Sequence, residues 1–171
     1  MSRVAALFVR ADSHYRDLGA DCFDLARDAR TFDLSCPVVA HPPCRAWGNL
    51  AQFAKPRKDE RDLAWWALHV VRHCGGVLEH PLTSRLWREA DCGTPGVRDR
   101  FGGVLLTLRQ SALGHRAPKP TGIYVCGPVP AIPEDAPGAR GRVELMGRAE
   151  RETTPLPMAA WLLAAARGCA R

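Results

Sequence analysis

Short apolar runs, separated by polar or proline-bearing segments, are the most regular feature of the chain. An unbroken apolar run is typical of a strand that is covered on both faces, and an alternating run is typical of one that is covered on one face. The pattern predicts six short strands, at residues 4–9, 21–25, 37–40, 77–79, 104–108 and 123–126.

One clear helix is predicted between the third and fourth strands, at residues 59–73. Its apolar positions follow the spacing i, i+3, i+4 and i+7, which places them on one face of a helix. These positions are Leu63, Trp66, Ala67 and Val70. Asp59 is suited to cap the start of this helix, and Gly75-Gly76 to end it.

The last part of the chain predicts a loop followed by a second helix. Residues 127–142 are rich in proline and glycine, and we expect a loop over 127–149. The C-terminal helix lies within residues 153–168, where Pro155 or Pro157 would open it and Gly168 would stop it.

The order of these elements predicts one α/β domain over residues 1–171. Strand, helix and strand in succession indicate a βαβ unit in a parallel sheet. The segment 110–121, which joins the last two strands, is too short for a crossover helix and favours an antiparallel pair. We predict a three-layer sandwich with a mostly parallel sheet and an antiparallel hairpin at one edge.

Composition and charge narrow the classes of partner. The chain of 171 residues is 46% hydrophobic and 25% charged, which is typical of one globular domain. No apolar run is long enough to cross a membrane and no signal peptide is recognisable, so we expect a cytoplasmic protein. A net charge of +6 favours a polyanionic partner such as nucleic acid. The seven cysteines form no CxxC pair, and no metal site is predicted.

Two predicted strands end in residues whose side chains can take part in catalysis. The third strand runs into His41-Pro42-Pro43-Cys44, and the fourth runs into Glu79-His80-Pro81. Proline stops the hydrogen-bonded ladder at both places. Because ligands of open α/β sheets bind outside the carboxyl ends of strands, we expect Cys44 and Glu79 at one rim of the sheet.

These motifs resemble those of the cytosine-C5 DNA methyltransferases. The sequence His41-Pro42-Pro43-Cys44-Arg45-Ala46-Trp47 is similar to the Pro-Cys loop of that family. Val77-Leu78-Glu79-His80-Pro81 resembles its Glu-Asn-Val motif, especially the Glu-Asn-Pro form of small phage-type members. Residues 110–125 are similar to the Gln/Arg-bearing turn and apolar strand that follow it. The ordered set covers residues 37–127 and is more specific than any one motif.

The resemblance implies a Rossmann-like, methyltransferase-type fold and modification of a pyrimidine in DNA or in a nucleotide, in a bacterial host cell. Cys44 would be the nucleophile that adds to C6 of the base, and Glu79 would hydrogen-bond the base edge and help to protonate N3. Arg116 or Lys119 would contact the base or a phosphate. A base in duplex DNA would be flipped out to reach such a site.

The resemblance also implies a set of substrate contacts and a cofactor. Residues in or beside the three motifs would contact the substrate: His41, Pro43, Arg45, Trp47, His80, His115 and Lys119. Arg45 is placed to lower the pKa of the thiol or to hold a phosphate, and Trp47 to stack on a base or to pack over its own loop. Asp24 and Asp28 would contact S-adenosylmethionine.

Two departures from the family leave the reaction open. The first predicted strand lacks the family's Phe-x-Gly-x-Gly turn, which admits the methyl donor. The large target-recognition region is replaced by the loop at 127–149, which leaves open relaxed sequence choice, a free nucleotide substrate, a partner subunit or a homodimer. The alternatives to methyl transfer are donor-independent base hypermodification by the same Cys/Glu pair and a non-catalytic nucleic-acid-binding module.

Overall fold

The computed structural model describes residues 2–48, 51–135 and 141–169. The strands are β1 (Ala5–Leu7), β2 (Asp21–Phe23), β3 (Val38–Ala40), β4 (Gly76–Pro81), β5 (Val104–Arg109) and β6 (Pro120–Cys126). The α-helices are α1 (Glu60–Cys74), α2 (Leu86–Glu89), α3 (Arg148–Glu152) and α4 (Leu156–Gly168). Short 3-10 helices cover Ala29–Thr31, Ala51–Phe53, Gln110–Leu113 and Val143–Leu145.

The six strands form one mixed sheet in the order β2-β1-β3-β4-β6-β5. The first four strands pair in parallel, and β6 runs antiparallel to both β4 and β5. The predicted α/β class is therefore confirmed, as are the mostly parallel sheet and its antiparallel pair at one edge.

Two hydrophobic cores lie on opposite faces of the sheet. Leu7 belongs to the core that α1 covers, whereas its neighbour Ala6 belongs to the core that α4 covers. Successive side chains of a strand point to opposite faces, so strands buried on both sides need apolar residues at every position. This explains the unbroken apolar runs of the sequence.

Helix α1 agrees with its prediction except at its cap. Asp59 directly precedes the helix, but its side chain makes no capping hydrogen bond, so that prediction was wrong. Its carboxylate instead lies 3.8 Å from the guanidinium of Arg30. The helix ends at Gly75 as predicted. Gly76 then opens β4 with φ +118, and a Cβ there would lie 2.1 Å from the Val38 carbonyl oxygen.

The C-terminal part contains more helix than the sequence predicted. Helix α4 follows Pro155 and includes Gly168, which is its last helical residue rather than a stop outside it. The predicted loop at 127–149 contains a 3-10 helix and the start of α3, and its residues 136–140 lie outside the described part of the chain. No helix among the described residues combines the length and the apolar character needed to cross a membrane.

A buried ion pair ties α1 to the last strand. The Asp99 carboxylate, 3% exposed, accepts hydrogen bonds from the backbone N–H groups of Phe101 and Gly103, each at 2.9 Å. It also accepts one from the Tyr124 hydroxyl at 2.6 Å and faces the Arg72 guanidinium at 3.4 Å. One carboxylate therefore joins the turn before β5 to both α1 and β6.

Candidate active site

A cavity of about 630 Å³ opens at the carboxyl ends of the central strands. Strand β1 pairs with β2 on one side and with β3 on the other, so the strand order reverses between β1 and β3. The segments that leave these two strands, 8–13 and 41–45, both line the cavity, together with residues 79–81 and 151–154. In open α/β sheets this reversal point is where ligands bind.

The register of the sheet brings the two predicted motifs together. Ala40 is paired with Leu78 across β3 and β4, so His41 and Glu79 leave this pair at the same level. The backbone N–H of His41 donates to the Leu7 carbonyl at 3.0 Å, which holds the loop after β3 against β1. Cys44 and Glu79 consequently line the same cavity.

Cys44 lies on the prolyl loop after β3 and is open to the cavity. The residue is exposed, yet it is recessed between the cavity walls. This recession and the negative charge of Glu79 raise the pKa of its thiol, and the positive charge of Lys119 opposes the rise only in part. The resting group is the protonated thiol, so a nucleophilic role requires proton loss when a substrate binds.

Three side-chain donors surround the Glu79 carboxylate, which is 14% exposed. Its Oε2 lies 3.2 Å from Nδ1 of His41. Its Oε1 accepts hydrogen bonds from Nε2 of Gln110 at 3.1 Å and from the Thr121 hydroxyl. Donors on both oxygens favour the ionised form and fix the direction of the carboxylate.

The pKa of Glu79 is lowered to about 2. Burial alone would raise this pKa, but the hydrogen bond and charge of His41, the charge of Lys119 and the hydrogen bond from Thr121 outweigh it. Glu79 is therefore ionised throughout the neutral range in the free protein. It is an anchored anion and carries no proton of its own to donate.

His41 connects Glu79 to a buried phenol. Its Nε2 lies 2.9 Å from the hydroxyl of Tyr15, which is fully buried in the connection after β1. Burial, and then the charge of Glu79, raise the pKa of Tyr15 well above its ordinary value, so the phenol stays protonated. The chain Tyr15–His41–Glu79 thus joins the ends of three neighbouring segments of the sheet.

Two of the predicted cationic residues, Lys119 and Arg45, line the cavity, and Arg45 is already paired with Glu60. Lys119 lines the cavity, and its Nζ donates to the Arg151 carbonyl at 2.8 Å. Arg45 also lines it, but its Nε lies 3.2 Å from Oε2 of the buried Glu60, which its Nη2 contacts as well. The guanidinium of Arg45 is directed to helix α1 rather than to the thiol.

Two further predicted residues, Pro43 and His80, lie in the cavity wall. His80 is 1% exposed, and its ring meets Trp87 edge-on at 5.9 Å. Burial lowers the pKa of His80 to about 4, against the opposing effects of Glu79 and the Pro43 carbonyl. His80 is therefore a neutral wall residue.

The structure does not bring Arg116 or His115 to the cavity. The Arg116 guanidinium is exposed and pairs with Glu150 at 2.9 Å, which leaves Lys119 as the cation of this segment that lines the cavity. His115 is buried, with Nδ1 at 2.8 Å from the carbonyl oxygen and 3.1 Å from the amide nitrogen of Ala117. It shapes the turn before β6.

Trp47 belongs to the core and not to a base-stacking surface. Its ring is fully buried, with Trp65 at 6.2 Å and the Arg61 guanidinium 4.5 Å from the ring centroid. Of the two roles considered for Trp47, the structure supports packing over its own loop.

The two predicted contacts to S-adenosylmethionine, Asp24 and Asp28, lie outside the cavity. The Asp24 carboxylate accepts hydrogen bonds from Arg16 at 2.5 Å and from the backbone of Ala26 at 2.9 Å, and Asp28 caps the 3-10 helix at Ala29–Thr31. Neither aspartate lines the cavity. Directly after β1, where the family has a glycine turn, Phe8 lines the cavity with φ +60.

Sequence reasoning did not single out Tyr15, Gln110 or Thr121 as site residues. Gln110 opens the segment 110–125 that resembles the family's third motif, and Thr121 lies within it, so a position of both beside Glu79 is compatible with the resemblance. Tyr15 lies in a polar connection with no motif around it. Only its long-range contact with His41 shows its place.

Comparisons of the chain with models of protein families, with curated proteins and with solved structures found no match.

Glu79→Gln is expected to remove a pH-dependent part of the stability. The folded pKa of Glu79, about 2, lies below its ordinary value of 4.5, so its stabilising contribution is complete above pH 4.5 and is lost as the pH falls toward 2. Urea unfolding of both proteins from pH 7 to pH 2 should show a difference that shrinks over this window. Glu150→Gln, at an exposed pair, is the control and should change stability little. A difference between E79Q and the native protein that stays constant with pH would contradict the prediction.

Proposed function

We propose that the protein modifies a pyrimidine base, in DNA, through covalent addition of Cys44 to C6 of the base. The observation that carries the proposal is the convergence of Cys44 and Glu79 on one cavity at the reversal point of the sheet. A pyrimidine C5 is unreactive until a nucleophile adds at C6. A thiol that lines the same cavity as an anchored carboxylate suits that addition.

The addition can be written for cytosine with all atoms in balance. The Cys44 thiol loses its proton to water and Sγ bonds to C6, while the C5=C6 electron pair forms a C4=C5 double bond, the N3=C4 pair moves to N3 and N3 gains a proton. C5 is then nucleophilic and takes an electrophile, which in the simplest case is a proton from water. Loss of the original C5 proton to water, loss of the N3 proton and elimination of Sγ restore the base, and the thiolate regains a proton from water. Glu79 lies where its charge can stabilise the N3–H of the adduct.

The sheet supports a Rossmann-like, methyltransferase-type origin for this proposed phage-type enzyme. Four parallel strands reverse their order between β1 and β3 and continue into an antiparallel pair, as the resemblance implies. The motif-bearing segments leave β3 and β4, the two strands next to β1 on that side. This arrangement puts the Cys and Glu motifs on one rim, in the order along the chain that the family has.

The group that is transferred to C5 divides the proposal into two versions. Methyl transfer would use a donor whose predicted contacts, Asp24 and Asp28, do not face the cavity. Phe8, in place of a glycine turn, favours the second version, in which addition of Cys44 activates a substituent on C5 during synthesis of a hypermodified base. Both versions share the addition at C6.

A nucleic-acid substrate agrees with the charge of the protein. The chain carries a net charge of +6, and arginine and lysine side chains line the cavity beside the thiol. Positive side chains next to a base pocket can hold the phosphates that flank a flipped nucleotide. Lys119 is the cation that acts on both Cys44 and Glu79.

The test is the trapping of the adduct on DNA that contains 5-fluorocytosine. Fluorine replaces the C5 proton that must leave, so the enzyme stays bonded to the base after transfer. The purified protein is incubated with this DNA, with and without S-adenosylmethionine, and the mass of the intact protein is measured. We expect an increase by the mass of the DNA strand, which is lost in Cys44→Ala.

The dependence of the adduct on S-adenosylmethionine distinguishes the two versions of the reaction. An adduct that requires S-adenosylmethionine indicates methyl transfer, and one that forms without it indicates the donor-independent version. Tight DNA binding with no adduct under either condition would instead indicate a non-catalytic nucleic-acid-binding module.

A further inference from the structure

We infer that His41 is the proton carrier of this site: it supplies, through Glu79, the proton that N3 of the base gains when Cys44 adds to C6. Tyr15 is the positioning residue that holds the His41 ring. The inference rests on the proposed function, and it assigns roles to two side chains that the Cys/Glu pair leaves unexplained.

The hydrogen-bond partners of Glu79 identify it as an anion that needs a separate source of the N3 proton. His41, Gln110 and Thr121 all direct donor groups at the carboxylate, so its geometry is that of an anion. An anion can stabilise N3–H, but it cannot be the source of that proton. Of the described side chains hydrogen-bonded to Glu79, only His41 belongs to a residue type that releases protons near neutral pH.

The His41 ring has a suitable hydrogen-bond partner at each of its two nitrogens. In the imidazolium form, Nδ1–H donates to Glu79 Oε2 at 3.2 Å and Nε2–H donates to the Tyr15 hydroxyl oxygen at 2.9 Å. After Nδ1 has released its proton, Nε2–H still donates to Tyr15, so the ring need not turn. Tyr15 is fully buried and remains a neutral phenol, which keeps its oxygen available as the acceptor.

The proton balance is simple. One proton leaves Nδ1 of His41 for Glu79, and one leaves Glu79 for N3 as the Sγ–C6 bond forms, the C5=C6 pair moves to C4–C5 and the N3=C4 pair moves to N3. Glu79 is unchanged after the two transfers, and His41 has gone from imidazolium to imidazole. Elimination of Sγ reverses the path and returns the proton to His41. General acid catalysis of this kind contributes roughly 10² to 10⁴ in rate.

Other charged and titratable groups surround the ring and its hydrogen-bond partners. Glu79 and Tyr15 contact the ring, while Cys22, Cys44, His80 and Lys119 act on these two residues or lie beside them. The other charged side chains that line the cavity are Arg10, Asp12, Arg45, Arg57, Glu60, Arg151 and Glu152. Burial keeps His80 neutral, with a pKa of about 4. Glu79 is the anion hydrogen-bonded to His41.

The first arm of the test measures the coupling without any substrate. The imidazole nitrogen signals of the six histidines are recorded by NMR at neutral pH, and the signals that disappear in His41→Gln are assigned to His41. We expect Glu79→Gln to shift the His41 signals, because Nδ1 loses its charged hydrogen-bond partner, whereas Glu150→Gln, at an exposed pair, should leave them in place. His41 signals that stay unchanged in Glu79→Gln would overturn the inference whether or not the protein is an enzyme.

The second arm measures use of the proton, as exchange of the C5 hydrogen of cytosine in DNA for deuterium from heavy water. His41→Gln can still donate to Glu79 but cannot titrate, and we expect it to slow the exchange by at least about 10²-fold and to flatten its pH profile. Added imidazole should restore exchange in His41→Ala, and the restored rate should depend on pH as the protonation of free imidazole does. Tyr15→Phe, which removes only the hydroxyl partner of Nε2, should slow exchange less and keep a pH dependence.

The outcomes separate the inference from the proposed function. Native exchange with an equal rate and an equal pH profile in His41→Gln would overturn the role of His41 and leave Cys44 addition standing. If the native protein binds DNA but catalyses no exchange at any pH, the proposed function fails, and the inference fails with it. Thermal unfolding of each variant shows whether a loss of exchange comes from a loss of fold.

Discussion

Cys44→Ala is expected to lower the exchange of the C5 hydrogen of cytosine by at least about 10³-fold, because the thiol that bonds to C6 is gone. DNA binding should remain within a few fold, since Cys44 is a small, uncharged residue on the cavity surface. The measurement is the mass of the nucleosides released from DNA after incubation with the protein in heavy water. This readout needs no methyl donor and therefore covers both versions of the proposed reaction.

A second cysteine provides the matched control. Cys74 lies at the end of α1 and is half-buried, with its thiol 3.4 Å from the Leu34 carbonyl, and it does not line the cavity. Cys74→Ala should exchange at the native rate. Because the pKa of Cys44 is raised, its alkylation by iodoacetamide should also accelerate at higher pH than that of an ordinary thiol. Exchange that survives in Cys44→Ala would exclude the covalent mechanism.

The largest effect on stability is expected from Asp99→Ala, at about 3–5 kcal/mol of the free energy of unfolding. The substitution leaves the guanidinium of Arg72, 9% exposed, without its buried carboxylate and removes the acceptor for two backbone N–H groups. The Tyr124 hydroxyl loses its partner as well. Urea unfolding at pH 7, followed by tryptophan fluorescence, measures the change.

Asp91→Asn is the control for a surface ion pair. Asp91 lies 3.4 Å from Arg100, and both side chains are mostly exposed. Its backbone has a φ of +51°, which asparagine tolerates as aspartate does, so the substitution removes the charge alone. An exposed pair of this kind is screened by water, and we expect a change within about 1 kcal/mol. Equal effects of Asp91→Asn and Asp99→Ala would show that the Asp99 network does not hold α1 and β6 together.

The sequence alone determined the elements of the fold and the strand ends that bear the candidate site. Strands buried on both faces need apolar residues at successive positions, so their runs are visible without knowledge of their neighbours. Helix α1 is visible through its 3.6-residue period. The placement of Cys44 and Glu79 on one rim followed from a general property of parallel sheets, whose strands all end at the same edge.

Only the tertiary structure decided which of the predicted side chains face the cavity. Arg116 and Lys119 lie three positions apart in one polar segment, and either could have faced a substrate until Glu150 was found beside Arg116. Trp47 and Arg45 were assigned by contacts with α1, which begins more than ten residues later. Polar and aromatic residues in loops have no periodicity that gives their direction.

The contacts from Tyr15 through His41 to Glu79 show why a local sequence pattern does not predict which side chains meet in the cavity. The three residues come from separate segments, and they meet because β3 lies between β1 and β4 in the sheet. A local sequence pattern predicts burial, because the hydrophobicity of each side chain is a property of that residue alone. Hydrogen bonding between distant residues depends on strand order and register, and these are set by the packing of the whole sheet.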